Sequence, residues 1–129
     1  MEELKKAALG TIEENKELIA SVANQIWEYA ELSLQEVRSA ALYCKMLKEL
    51  GFAVEEGVCS IPTAFAASYG SGRPIIGILA EYDALSGLSQ QGGSTQKQEL
   101  IPGGTGHGCG HNLLGAGALA AALGIKHYL

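Results

Sequence analysis

Apolar residues recur along the first part of the chain with the period of a helix. Leu18, Val22, Ile26 and Ala30 repeat every fourth position, with Ile19, Ala23 and Trp27 in the row beside them. Together they make one broad stripe and predict an amphipathic helix. Gly10-Thr11 is placed to break an earlier turn. A second helix is expected from Ser33, because Ser33 and Glu36, three residues on, have the spacing of a capping box. Val37, Ala41, Cys44 and Leu47 then follow the helical period, and Gly51 is placed to end it. These apolar positions are core by default, and Trp27 and Tyr43 are expected to pack rather than cage a ligand.

From Phe52 the period changes. Thr63–Tyr69 and Pro74–Glu81 are strand-like runs joined by Gly70-Ser71-Gly72-Arg73, which predicts a hairpin with a longer loop. Ile75-Ile76-Gly77-Ile78-Leu79-Ala80 is apolar throughout, the pattern of a strand buried on both faces. Ser86 to Gly106 is polar and Gly-rich without periodicity, and structureless loops of about twenty residues inside a domain are usually functional or mobile. Leu113–Leu129 is rich in Ala and Leu and predicts a fully buried helix. These elements place the chain in the α/β class, a mixed β-sheet flanked by helices, as one domain over residues 1–129.

Charge divides the chain unevenly. Residues 1–56 hold 11 of the 14 acidic and 6 of the 9 basic residues, while residues 57–129 hold 15 of the 17 glycines. The first part is therefore expected to be solvated helix, and the second to be buried strands with tight turns where a site would be built. An apolar content of 47% excludes disorder as the main state, and a net charge of −5 argues against a nucleic-acid binder. No apolar run approaches the ~20 residues of a membrane span, and the Met1–Lys6 start lacks the order of a secretory signal. A soluble, cytoplasmic protein that binds no membrane is expected. Cys44, Cys59 and Cys109 are too few and too scattered for a disulfide scaffold; Cys44 is expected buried as a small hydrophobe. The final apolar helix runs to Leu129 without a Gly or Asn cap, which predicts that the sequence is a piece of a longer one.

Two segments carry candidate chemistry. Gly106-His107-Gly108-Cys109-Gly110-His111-Asn112 sets potential ligands at every second residue with glycine between. If the segment is extended, Cys109 and His111 project to the same side and offer a thiolate and an imidazole to one ion or to two adjacent ions. The glycines permit close backbone approach, and the following helix N-terminus favours a thiolate. The same residues also suit a Gly-rich turn holding a satisfied histidine, or a Cys109 nucleophile activated by His107 or His111. The second segment is Glu81-Tyr82-Asp83-Ala84-Leu85, directly after the apolar run, where strand ends commonly meet ligands. Asp83 is the only aspartate in the chain. An acid that initiates a turn there is the plainer alternative.

Ile61-Pro62-Thr63-Ala64-Phe65, the run from Gly77 to Leu85, and the run from Gly106 to Gly115 together resemble the aminoacylase/carboxypeptidase-like dinuclear metallohydrolases. The branch most similar is that of the amidohydrolases like p-aminobenzoyl-glutamate hydrolase, and the resemblance covers about Ile26 to Leu129. It implies the N-terminal part of a zinc-exopeptidase-like catalytic domain, with Cys109 and His111 as metal ligands and Cys109 bridging two divalent ions, zinc or manganese. His107 falls on a position that is not a ligand. Asp83 falls on the aspartate that stands behind a metal-binding histidine, an orienting role. Glu81 occupies that histidine's place, and Ser86 stands where many relatives have proline. The resemblance further implies hydrolysis of an amide in an N-acyl amino acid, an aminobenzoyl-glutamate or a small peptide, and a homodimer at full length. Family members are several times longer, with their glutamate general base, remaining ligands and lid domain in the further sequence, so the 129 residues alone are expected to be inactive. Two other classes compete: a non-catalytic accessory or self-associating module, and a thiol-reactive domain centred on Cys109.

Overall fold

A computed structural model describes residues 1–129. Helix α1 spans Glu2–Glu14, α2 Lys16–Tyr29, α3 Val37–Glu49 and α4 His111–Tyr128; strand β1 is Ala53–Glu56 and β2 Phe65–Ser68, with a short 3-10 turn at Val58–Ser60 between the strands. Gly10 does not interrupt α1. The break falls at Asn15, whose side-chain amide donates to the Thr11 carbonyl at 2.8 Å and closes the helix, while its own carbonyl accepts from Ile19 to open α2.

The core is where three helices meet. Val22 and Ile26 of α2, Tyr43, Met46 and Leu47 of α3, and Leu119 and Leu123 of α4 form one buried cluster. Ile26 is fully buried, and burying such a side chain contributes roughly 2 kcal/mol or more. The α3 stripe is rotated from its expected position: Ala40, Tyr43, Cys44 and Leu47 face inward, whereas Val37 and Ala41 face solvent. The start of α3 differs too. Ser33 lies in a turn, and the helix begins at Val37. Leu34 has a left-handed φ of 65°, and Leu32 pairs with Ala84, so residues 32–34 are held out of the helix. The Glu31 carboxylate supplies the cap instead, accepting from the Arg38 and Ser39 amides at 2.9 Å and from the Ser39 hydroxyl at 2.8 Å. A charged acceptor at a helix N-terminus satisfies orphan N–H groups and suits the dipole.

The observed hairpin is not the expected one. β2 lies within the predicted Thr63–Tyr69 run, but its antiparallel partner is β1, with Ala53 opposite Ser68 and Glu56 opposite Phe65. The Pro74–Glu81 run forms no strand, and its main chain makes no backbone hydrogen bond. Ile75, Ile76 and Leu79 are 80%, 73% and 85% exposed. An apolar run makes a buried strand only where neighbouring strands pair with it, and here none does. The segment instead forms one wall of a groove of about 940 Å³ whose other walls are β2 and α4.

Helix α4 is likewise buried on one face rather than all round. Asn112, Gly115, Ala116, Leu119, Leu123 and Gly124 face inward, while Leu113 and Leu114 face solvent. Its small residues set its packing distances: a Cβ on Gly124 would stand 3.1 Å from Ile12 of α1. Residues 86–106 contain no helix or strand but fold back on themselves, with Gln91 donating to the Gln98 carbonyl at 2.8 Å and the Ile101 amide donating to the buried Ser89 hydroxyl at 2.9 Å. All three cysteines are free; Cys44 is buried, which pushes its thiol up, and Cys59 and Cys109 are exposed. No helix is long and apolar enough to cross a membrane.

Candidate metal centre

Backbone pairing joins the two chemistry-bearing segments. Ala84 donates to the Glu31 carbonyl at 2.7 Å, and Leu85 and Gly106 exchange hydrogen bonds at 2.9 and 3.0 Å. The chain that carries Glu81 and Asp83 is thereby fixed on one side to Glu31, just past the end of α2, and on the other to the start of the His107–His111 run. Gly106 is required by space: a Cβ there would lie 2.0 Å from the Leu88 carbonyl oxygen. Gly110 is required by conformation, since it opens α4 at a φ of 74° with nothing near its absent side chain.

The run is not extended. Residues 107–110 turn, with Gly110 donating to the His107 carbonyl at 3.1 Å, and the helix begins at His111. The strand-like alternation expected to aim Cys109 and His111 the same way is therefore absent. Glycine on either side of Cys109 lets the backbone turn where β-branched residues would have held it straight. Cys109 is exposed, and neither His107 nor His111 hydrogen-bonds its thiol.

Instead, His111 is brought together with Asp83 and Glu81, all three donor atoms lying within 4.8 Å of one another. The His111 Nδ1 lies 2.8 Å from Asp83 Oδ1 and 3.1 Å from the Asp83 carbonyl oxygen. Both of those atoms accept, so Nδ1 carries the proton and donates to them. That leaves Nε2 with its lone pair, 3.3 Å from Glu81 Oε2. A lone pair and a carboxylate oxygen facing each other are two electron-pair donors to which one cation can bind.

A metal ion fits this arrangement. Two ligands each about 2.0–2.1 Å from a tetrahedral zinc stand about 3.3 Å apart, the separation between Nε2 and Oε2. An imidazole whose far nitrogen donates to a carboxylate is also the usual outer support of a metal-bound histidine. Asp83 and His111 are each mostly buried, at 22% side-chain exposure, whereas Glu81 is half exposed at 50%. The groove described above reaches Glu81 and Asp83 and is lined beyond them by Tyr82, Phe65 and Leu119.

His107 is turned elsewhere. Its Nε2–H donates to the Ile26 carbonyl at 3.0 Å, and burial holds its pKa below the usual histidine value. Glu81 is the residue that sequence reasoning undervalues; its place next to the only aspartate is the available signal.

No established family profile matches the chain. Curated proteins do. Over its whole length the chain is 45% identical to one of the subunits of the Escherichia coli p-aminobenzoyl-glutamate hydrolase, spanning 27% of that protein. It is 29% identical over 139 residues to the human Xaa-Arg dipeptidase, covering 98% of the chain and 28% of the relative. It is 30% identical over 103 residues to thermostable carboxypeptidase 1 of Saccharolobus solfataricus, covering 78% of the chain and 25% of the relative. The chain belongs to this amidohydrolase and peptidase family. It spans about a quarter of the length of the relatives it matches. The family resemblance carried by the three motifs is thereby borne out, and the mixture of helices with a small antiparallel sheet accords with it.

Proposed function

We propose that this chain is part of a metal-dependent hydrolase that cleaves the amide bond of an N-acyl amino acid, an aminobenzoyl-glutamate or a small peptide. The observation that carries the reading is the His111 imidazole, whose Nδ1–H is committed to Asp83 and whose Nε2 faces Glu81 at 3.3 Å. The names of the relatives, a hydrolase, a dipeptidase and a carboxypeptidase, support the reaction class.

In this reading Cys109 and His111 would hold divalent zinc or manganese. Asp83 orients His111 and keeps the proton on Nδ1, and Glu81 joins as a further oxygen ligand. Divalent ions, when bound, supply Lewis acidity that acidifies a water and polarises the amide carbonyl. The groove beside Glu81 and Asp83 receives the substrate, its apolar wall of Phe65 and Leu119 excluding water from the acyl or amino side chain. A polypeptide of the relatives' length is the expected cytoplasmic, homodimeric catalyst; the 129 residues alone are expected to bind metal and turn over little.

Thiol titration tests the assignment. Zinc added to the chain is expected to shield one thiol of the three, and Cys109→Ala to abolish that shielding. Robust hydrolysis by the 129 residues, indifferent to Cys109→Ala and to chelators, would overturn the reading. A second reading has its own observation, the exposed Ile75–Leu79 run with its unpaired main chain. Such a segment can add a strand to another chain and make this a self-associating module. Sedimentation decides that: a monomer at high concentration removes it.

A further inference from the structure

One face of α2 is buried through Val22, Ala23 and Ile26, and its carbonyl oxygens are not left to the helix alone. Three side chains from the 105–112 segment reach them. Asn112 Nδ2 donates to the Ala23 carbonyl at 3.1 Å, His107 Nε2 to that of Ile26 at 3.0 Å, and Thr105 Oγ1 to that of Ala30 at 2.6 Å. Residues 23, 26 and 30 follow one another along a single face of a helix, so the three donors run down α2 like rungs. Ile26 already accepts from the Ala30 amide at 3.1 Å, and a carbonyl has two lone pairs, so the second bond completes it without breaking the helix. Asn112 and Ile26 are buried at 6% and 0% exposure, where an unmade hydrogen bond is expensive.

The opposite half of the centre is fixed just beyond the same helix, since Ala84 donates at 2.7 Å to the carbonyl of Glu31, the residue after the α2 C-cap. The Asp83–His111 contact of 2.8 Å therefore joins one segment anchored along α2 to another anchored on the residue that follows its C-cap. Cys109 and His111 lie between the rungs made by His107 and Asn112. Losing a rung frees the turn that carries both.

Resting on the metal-centre reading above, we propose that His107, with Thr105 and Asn112, is a positioning residue that sets metal affinity by clamping the His107–His111 turn to α2, without touching the ion. Only a donor at the Nε2 position is needed, so glutamine, whose amide nitrogen reaches a similar place, should substitute where alanine does not.

The test uses calorimetric titration of the chain with zinc, taking the heat lost in His111→Ala as the signal of this centre. His107→Ala is expected to weaken that affinity by about 10- to 100-fold, the range for outer partners of metal ligands, and His107→Gln to recover most of it. Thr105→Val, which removes a rung at the edge of the segment, is expected to weaken it in the same direction by less. A metal-free readout accompanies it: long-range proton–nitrogen spectra should show His111 as the Nδ1–H form in the parent chain and as a mixture of forms in His107→Ala. Unchanged affinity and an unchanged His111 signature in folded His107→Ala would overturn the proposal, as would glutamine behaving like alanine. Absence of a zinc signal in the parent chain that His111→Ala removes would instead overturn the metal-centre reading itself, leaving the His111 spectra to judge the clamp.

Discussion

Replacing Gly106 by alanine separates two reasons a glycine can be required. An added Cβ would stand 2.0 Å from the Leu88 carbonyl oxygen, 2.6 Å from its carbon and 3.0 Å from Ser89 Cα. All three are backbone atoms, so no rotamer change relieves the clash and the two strands of chain must separate. Separation breaks the Leu85–Gly106 pair of hydrogen bonds at 2.9 and 3.0 Å, each worth about 1 kcal/mol net. Strain that remains adds about 1–3 kcal/mol, as for other overpacked sites. The total, about 3–5 kcal/mol, is a large part of the 5–15 kcal/mol that holds a typical domain together. Gly110→Ala meets no atom within 4 Å but keeps a φ of 74°, so its cost is only the left-handed penalty of about 1–2 kcal/mol. Asparagine, which tolerates that conformation, should recover part of it at Gly110 and none at Gly106. Urea unfolding followed by circular dichroism measures all four variants. Gly106→Ala as stable as the parent within about 1 kcal/mol, or less costly than Gly110→Ala, would refute the packing argument.

Three further outcomes follow from named contacts. Asp83→Asn can present an amide N–H to His111 in place of a carboxylate, so zinc affinity by calorimetry should fall about 10- to 100-fold while the unfolding midpoint barely moves. Glu31→Gln trades a charged acceptor for a neutral one at the start of α3, and a loss of about 1 kcal/mol in urea unfolding is expected. Tyr43 is buried with its hydroxyl unpartnered, and burial pushes its pKa up to about 12. The fold therefore favours the neutral phenol: stability is fully present below pH 10 and is lost as pH rises from there toward 12, by at most about 1.4 kcal/mol per unit. Tyr43→Phe should be no less stable than the parent at neutral pH and should show a shallower alkaline decline. Tyr82, whose pKa burial also raises, keeps the slope from vanishing.

What is readable in the sequence divides along physical lines. The α2 stripe is readable because one helix face against one core needs only local periodicity, and Val22, Ala23 and Ile26 are its buried members. The α3 capping box at Ser33 misleads because the pairing of Leu32 with Ala84 is tertiary, and Glu31 can cap from outside the helix. The Ile75–Ala80 run misleads more deeply. Apolar character says that a segment gains by burial, whereas becoming a strand requires partners for every N–H and C=O, and residue types do not announce those partners.

The site obeys the same division with a sharper consequence. Cys109 and His111 are visible as residue types, and so is Asp83, but the state of His111 is written in none of them alone. It depends on an aspartate 28 residues earlier whose side chain and carbonyl both accept from Nδ1. The carbonyls of Ala23, Ile26 and Ala30 that hold the opposing segment carry no sequence signal, because every residue has one. A spacing rule for ligands therefore identifies which atoms are able to bind a metal, while the tautomer that makes one of them ready is set by the acceptors folded against it. That is why the alternation of glycine and ligand in the 106–111 run singles out His111 for the wrong geometric reason. The glycines bend the segment so that His111 opens a helix beside Asp83, rather than leaving it straight.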